Sequence, residues 1–303
     1  MVDVADRLRE FGNLFASTLR KMRRPGLFLP GVLLFALTQI VFLGFAYHLL
    51  GMVRDRRLDA LTQWSERYGS LISVLSLAVA FCVPAAVSGF ATLAGAAVEN
   101  DRGGWAEFWK GTGTYYGRVV GAYALAGLGI LLLAIPFGGI TYRSGGTGVG
   151  TPSGQNLLAQ CVNLVGAYFF TPWIAAAVID GTGVTASLSR GAKFAWANPN
   201  LLVPAFALQR AVGYLVSRLT QIGVNWEGAP GEIMFGPVWF VSAAAEGALS
   251  GYIYVFSLVL YISMYRLKTA PPAVPEAHAD SSTSTPPPEP EPPPLNLDQG
   301  PEQ

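Results

Sequence analysis

Three ionisable side chains, Arg210, Arg218 and Glu246, stand inside otherwise apolar runs. A charge at the centre of a bilayer costs about 3 kcal/mol on insertion scales, so such residues pair, snorkel or line a polar path. Arg210 is nine residues past Leu201, roughly 13.5 Å along a helix rising 1.5 Å per residue. Glu246 is eight past Val238, roughly 12 Å in from the opposite side by the same rise. In a hydrocarbon core about 30 Å thick, both fall near the midplane, on consecutive antiparallel helices. Arg210, Tyr214, Ser217 and Gln221 share one helical face with Arg218 at its edge, and Ser242, Glu246, Ser250 and Ser257 share another. Three arrangements suit these residue types. One is an Arg210–Glu246 ion pair that fixes helix packing. Another is a polar pathway or anionic-headgroup site that includes Arg218. The third has no contact at all, with the long side chains snorkelling to the interface. Ala243, Gly247 and Gly251, at four-residue spacing, would let a neighbouring helix approach closely.

Other residues capable of chemistry do not assemble into a catalytic set. His48 and His278 are too few for a histidine metal site, and no metal or cofactor is expected. Cys82 and Cys161 each sit in a long apolar run and read as small buried hydrophobes, not a disulfide pair. Residues 145–154 (GGTGVGTPSG) lack a P-loop lysine, and Gly111, Gly113 and Gly117 have the wrong spacing for a dinucleotide turn. Asp180, a lone carboxylate at a span end, is expected to cap the helix at 184–196. No Asn-x-Ser/Thr sequon is present. With no nucleophile arrangement or acid–base cluster, the expectation is a protein that is not an enzyme.

The elements that hold these residues follow from composition. Of 303 residues, 51% are apolar and only 13% charged, about half the charge of an ordinary soluble domain. Mean hydropathy is +0.40. These values exclude a soluble enzyme, a collagen-like chain and a disulfide scaffold. Apolar runs at 27–50, 71–98, 119–140, 157–179, 201–223 and 238–265 each reach the length of a spanning helix. Pro84, Pro136 and Pro172 lie inside them and predict kinks. The first run is too long for a signal peptide's apolar stretch and follows 26 patterned residues, so it reads as a signal anchor. The fold class is therefore all-α integral membrane with six transmembrane helices.

Charge sets the orientation. The body to Lys268 holds all 20 basic residues and all but six of the 19 acidic ones, a net of +7. Thirteen of the basic residues flank the odd-numbered side of the runs, among them Arg20, Lys21, Arg23, Arg24, Arg190, Lys193, Arg266 and Lys268. The even side carries five: Arg54, Arg56, Arg57, Arg67 and Arg143. By the positive-inside rule both termini are cytoplasmic and the protein belongs in the plasma (inner) membrane. Tryptophans 64, 105, 109, 196, 226 and 239 cluster near run ends, as an interfacial aromatic belt does.

Residues 1–26 place Val4, Leu8, Phe11, Phe15, Leu19 and Met22 at helical spacing with basic residues between them, the pattern of an interfacial amphipathic helix. Similar stretches precede the third run (Trp105, Phe108, Trp109, Tyr115, Tyr116) and the fifth (Val184, Leu188, Ala192, Ala195, Trp196). Each ends in a breaker, at Pro25, Gly117 and Pro199, spaced by 92 and 82 residues. The pattern suggests an interfacial helix plus a two-helix hairpin, used three times; chance recurrence in a six-helix protein is the competing reading.

Residues 171–208 read TPWIAAAVIDGTGVTASLSRGAKFAWANPNLLVPAFAL. In this stretch a proline-containing helix ends in an acidic residue and glycine, and a basic amphipathic helix then leads into the next span. Through Pro172, Asp180, Gly181, Ser187, Arg190 and Asn198 it resembles a loose group of uncharacterised prokaryotic six-helix membrane proteins. That group includes the membrane domain that precedes some glycerophosphodiester phosphodiesterases, whose catalytic domain this sequence lacks. The resemblance implies a fold and a membrane location, with no activity to carry over.

The organisation expected is an interfacial helix over 1–26, a six-helix domain over 27–268 and a disordered tail over 269–303. The tail holds 11 of the 21 prolines and no basic residue. Its Pro286–Pro288 and Pro292–Pro294 triplets could dock an aromatic groove on a protein partner. The function expected is a non-enzymatic membrane component that assembles with partners or organises lipid, with the lipid bilayer as its constant partner and no nucleic acid. The alternative is a small-solute or lipid transporter using Arg210 and Glu246.

Overall fold

The computed structural model describes residues 4–54, 58–143, 164–218, 224–225, 234–235 and 237–269. The helices are α1 (Val4–Met22), α2 (Pro25–Arg54), α3 (Leu58–Glu99), α4 (Trp105–Thr114), α5 (Tyr116–Arg143), α6 (Trp173–Asp180), α7 (Val184–Ala197), α8 (Pro199–Ser217) and α9 (Pro237–Thr269), and residues 164–170 form a further helical stretch before α6. A two-residue antiparallel pair joins β1 (Val224–Asn225) to β2 (Met234–Phe235). Three of the long helices open on a proline, Pro25, Pro199 and Pro237. A first-turn position suits proline because its missing N–H would have no intrahelical partner there.

Three helices are long and apolar enough to cross a membrane, at Pro25–Phe42, Ala80–Glu99 and Phe240–Thr269. A fourth span results if Leu164–Asp180 and Val184–Ala197, bent by 118°, count as one. These fall on the first, second, sixth and fourth apolar runs; the third and fifth lie in α5 and α8. The tail beyond Thr269 and the glycine-rich 145–154 segment lie outside the described residues, as do Cys161, His278 and the His48 side chain.

The breaks expected at Pro25 and Pro199 are present, whereas the second falls at Tyr115 and leaves Gly117 inside α5. A short helix meets a long one with a turn between them at Arg23-Arg24, Tyr115 and Asn198. Each break is stabilised differently. At the first, Arg24 donates to the Asp101 backbone carbonyl and carboxylate, and Gly26 lies so close to the Gly103 carbonyl that a Cβ there would sit 2.7 Å from it. At the second, the fully buried Ser88 of α3 accepts from the Tyr115 N–H at 3.0 Å and donates to the Gly111 carbonyl at 2.5 Å. At the third, the Asn198 side chain and backbone both donate to the Phe194 carbonyl.

The core gathers where α3, α4, α6, α7, α8 and the second half of α9 meet, around Phe90, Phe108, Leu202, Val259 and Ile262. Gly247 and Gly251 carry α9 against α2: a Cβ at Gly251 would lie 2.2 Å from the Gly31 carbonyl oxygen, and one at Gly247 2.8 Å from that of Phe35. The small-residue row read from the sequence is thus a close helix–helix contact. Cys82, expected to be buried, is exposed on α3 beside exposed Phe81 and Val83. An apolar side chain on a membrane helix is as stable facing lipid as facing protein, so hydropathy did not distinguish the two.

Candidate functional site

Lys21, Arg24, Arg266 and Lys268 gather at the end of the bundle that carries α1. Helix α3 ends there with its carbonyls turned outward, and three donors take them. Arg102 N–H reaches Ala96 at 3.3 Å, the Lys21 ammonium reaches Ala97 at 2.8 Å and an Arg266 guanidinium nitrogen reaches Val98 at 2.6 Å. Positive charge at a helix C-terminus is favourable because the outward carbonyls carry partial negative charge. Asp101 permits the reversal by adopting φ 55°, a left-handed conformation that Asp tolerates better than most residues. Burial lowers the Lys21 pKa from its ordinary value, and the nearby Asp101 opposes that shift. Lys268 pairs with Glu10 of α1 at 2.6 Å, so both ends of the described chain meet here. Arg20 and Arg23 are exposed, and no carboxylate pairs with either among the described residues.

Residues 171–208 take part in a second network. Gly181 closes α6 at φ 63°. Gly191 of α7 then packs on the α6 backbone, where a Cβ would be 2.7 Å from the Trp173 nitrogen. Asp180 does not cap α7, contrary to expectation: Gly183 occupies the N-cap, with no side-chain hydrogen bond. The Asp180 carboxylate instead accepts from Tyr265 of α9 at 2.6 Å and from Arg190 at 2.8 Å. That hydrogen bond and the neighbouring charge raise the Arg190 pKa further. The left-handed Gly181 turns the chain before α7 begins, and Asp180 is left on the side facing α9. Ser187, fully buried, bonds to Thr182 across the same turn.

Arg210, Arg218 and Glu246 are not joined as an ion-paired set. Arg210 is exposed, its guanidinium carbon 5.0 Å from the Phe206 ring centre one turn back on α8. Arg218 follows α8 directly, sits over the Tyr214 ring at 4.7 Å and donates to that tyrosine's hydroxyl. Glu246 is half-buried, and its Oε2 atom is buried with no hydrogen-bond partner. Among the described residues no ion pair links Arg210 to Glu246, so the pairing read from their depths is not formed. Equal depth places two residues at one level but not on facing sides. In α8 the contact with α9 passes through the adjacent Gln209, which accepts from Tyr261 at 2.9 Å.

A groove that sequence reasoning missed lies beside that bond. It has a volume of about 180 Å³ and is walled by α8 (Ala205, Val212) and α9 (Ile253, Phe256), with Phe15 and Leu19 of α1 over it. Its walls come from three helices, with α1 far in sequence from α8 and α9. The one signal available was the apolar face of α1, which had to rest on something.

Among the described residues no three His, Cys, Asp or Glu side chains converge as a metal site would require. The fold is that of an all-helical chain with several helices apolar enough to cross a membrane. No protein-family model, curated protein or solved structure matches it.

Proposed function

We propose that this chain is a six-span inner-membrane protein with both termini cytoplasmic, built from three interfacial-helix-plus-hairpin units, that organises lipid at the cytoplasmic face or assembles with partners there, without catalysing a reaction. On this reading it falls with the six-helix group that residues 171–208 resemble. The observation that carries the proposal is α1. Its Phe11 and Phe15 pack on the core and Met22 is buried, while Leu8 (56% exposed) and Leu19 (41%) stay outside, with exposed Arg9, Arg20 and Arg23 on the same helix and its end. A helix that exposes apolar side chains and cations together is matched to the acyl–headgroup boundary of an anionic membrane. Trp109 of α4 and Trp196 of α7, at 61% and 79% exposed, offer the same interfacial chemistry. The crowding of cations at the α1 end supports its assignment to the cytoplasm.

The test is lipid demixing. The full chain is reconstituted in phosphatidylcholine vesicles containing a minority of pyrene-labelled phosphatidylglycerol, whose excimer emission reports clustering. Emission should rise with protein and fall back in a Leu8→Glu variant; no rise with the wild-type chain would sink the lipid-organising reading. The buried Glu246 Oε2 atom, without a hydrogen-bond partner, favours a second reading, a small-solute or lipid transporter. Solute or lipid flux in the same vesicles that is abolished by Glu246→Gln would put it first.

A further inference from the structure

We propose that the groove beneath α1 is a binding site for one anionic phospholipid of the adjoining leaflet, with an acyl chain along the α8–α9 wall and the phosphate at Arg20 and Arg23. The proposal deepens the lipid-organising reading and rests on it for the sidedness of α1.

The groove is roomy enough for water, but its walls are mostly apolar and give water few groups to bond. Gln209 and Tyr261 engage each other, and Tyr252 and Ser257 are the other polar residues on the wall. An apolar space of this kind stays dry. On a helix bundle of the membrane class, hydrocarbon chains are the medium that can enter it. The outer rim is apolar too: Leu208 is exposed and Val212 half-buried, so a chain can enter sideways without crossing a polar barrier.

Charge decides which lipid. Leu19 roofs the groove, Arg20 follows it directly, and Arg23 comes four residues later, just past the end of α1. The neighbouring cations are already engaged: Lys21 with Ala97, Arg24 with Asp101, Arg266 with Val98 and Lys268 with Glu10. Arg20 and Arg23 are exposed with no carboxylate against them among the described residues. A phosphate supplies the missing anion, and arginine forks suit phosphate oxygens. A zwitterionic lipid would satisfy the groove but bring no net charge to the rim.

Native mass spectrometry of the full chain tests this, after incubation in detergent with 1-palmitoyl-2-oleoyl phosphatidylglycerol or the matching phosphatidylcholine. One phosphatidylglycerol should remain bound per chain in preference to phosphatidylcholine. Arg20→Gln and Arg23→Gln lie on the exposed surface and leave packing intact; each should lower that preference about fivefold, the value of one basic residue near an anionic surface. Val212→Trp, which fills the groove from its open rim, should remove both lipids while the melting temperature stays near wild type. Equal retention of the two lipids by the wild-type chain overturns the proposal. So does phosphatidylglycerol binding that survives Val212→Trp, although the lipid-organising reading would stand. A lipid held in the groove without any vesicle demixing supports the site and removes that reading instead.

Discussion

At the α1 end of the bundle, Lys21 and Arg266 donate to the last carbonyls of α3, Arg24 holds Asp101, Lys268 holds Glu10 and Arg190 shares Asp180 with Tyr265. Within α8 and α9, Arg210 has an aromatic face for company and Glu246 keeps one buried oxygen without a partner. The same residue types thus meet opposite treatment within one fold. At the end of the bundle water and helix termini supply polar groups, so a charge can be satisfied locally and locks segments together. In the middle of the helices the backbone has already used its donors and acceptors, and a charge must find another side chain or do without. Cations therefore do structural work at the α1 end. In the midsection the packing is carried by glycine.

That contrast makes its largest prediction at Gly251. A leucine there would push its Cβ into the Gly31 backbone carbonyl, which no rotamer change can relieve. Gly251→Leu should cost about 3 kcal/mol or more, read as a fall in melting temperature in detergent. Gly113→Leu, where nothing lies within 4 Å of an added Cβ, should leave the melt nearly unchanged. If the two variants melt alike, α2 and α9 are not held by close backbone approach and the midsection needs another explanation.

A smaller loss is expected at Ser88. Its hydroxyl satisfies two backbone groups at the α4–α5 break, and it is fully buried on α3. Ser88→Ala leaves the Tyr115 N–H and the Gly111 carbonyl without that partner, a cost of about 1–3 kcal/mol. Amide hydrogen exchange should localise the effect, with Tyr115 losing protection while the Leu27 amide at the first break keeps its own. Uniform loss across both breaks would mean that the α1 end unfolds as one unit.

How far the sequence foretold this follows the same division. The first and third helix breaks were legible because proline and asparagine act through local backbone chemistry, the second was misplaced onto Gly117, and α1 was legible because its apolar residues recur at helical spacing. The close approach at Gly247 and Gly251 was legible for a similar reason: a row of small residues on one face has few other uses in a membrane helix. What was not legible depends on rotation about helix axes. Depth along a helix follows from counting residues, whereas the side from which Arg210 projects relative to Glu246 depends on how α8 packs on α9, which Gln209 and Tyr261 reveal only in the structure. Asp180 was misjudged on similar grounds, because its partner Tyr265 lies 85 residues away. Ser88 gave no signal at all, since a lone serine in an apolar run looks the same whether or not it bridges a break. The groove under α1 needed three helices to be placed before it existed.

The smallest expected effect is also the sharpest test of the midsection. Breaking a buried ion pair by removing one partner typically costs about 3–5 kcal/mol, because the remaining charge is left without a counter-ion. With no such pair, Glu246→Gln removes a charge that had one unpartnered buried oxygen, so the variant should melt at or slightly above wild type, a gain of up to about 1 kcal/mol. Arg210→Gln should lose only its contact with Phe206, about 0.5–1 kcal/mol at an exposed site. Because the two side chains do not touch, the double variant should equal the sum of the singles within about 0.5 kcal/mol. A double variant that melts well above that sum would mean the pair forms in the membrane after all, and the contrast between the two regions would narrow to the number of partners each charge has. Additivity would place the two charges on separate tasks: Arg210 at the lipid-facing side of α8, and Glu246 as the one described carboxylate whose oxygen the packing leaves unsatisfied.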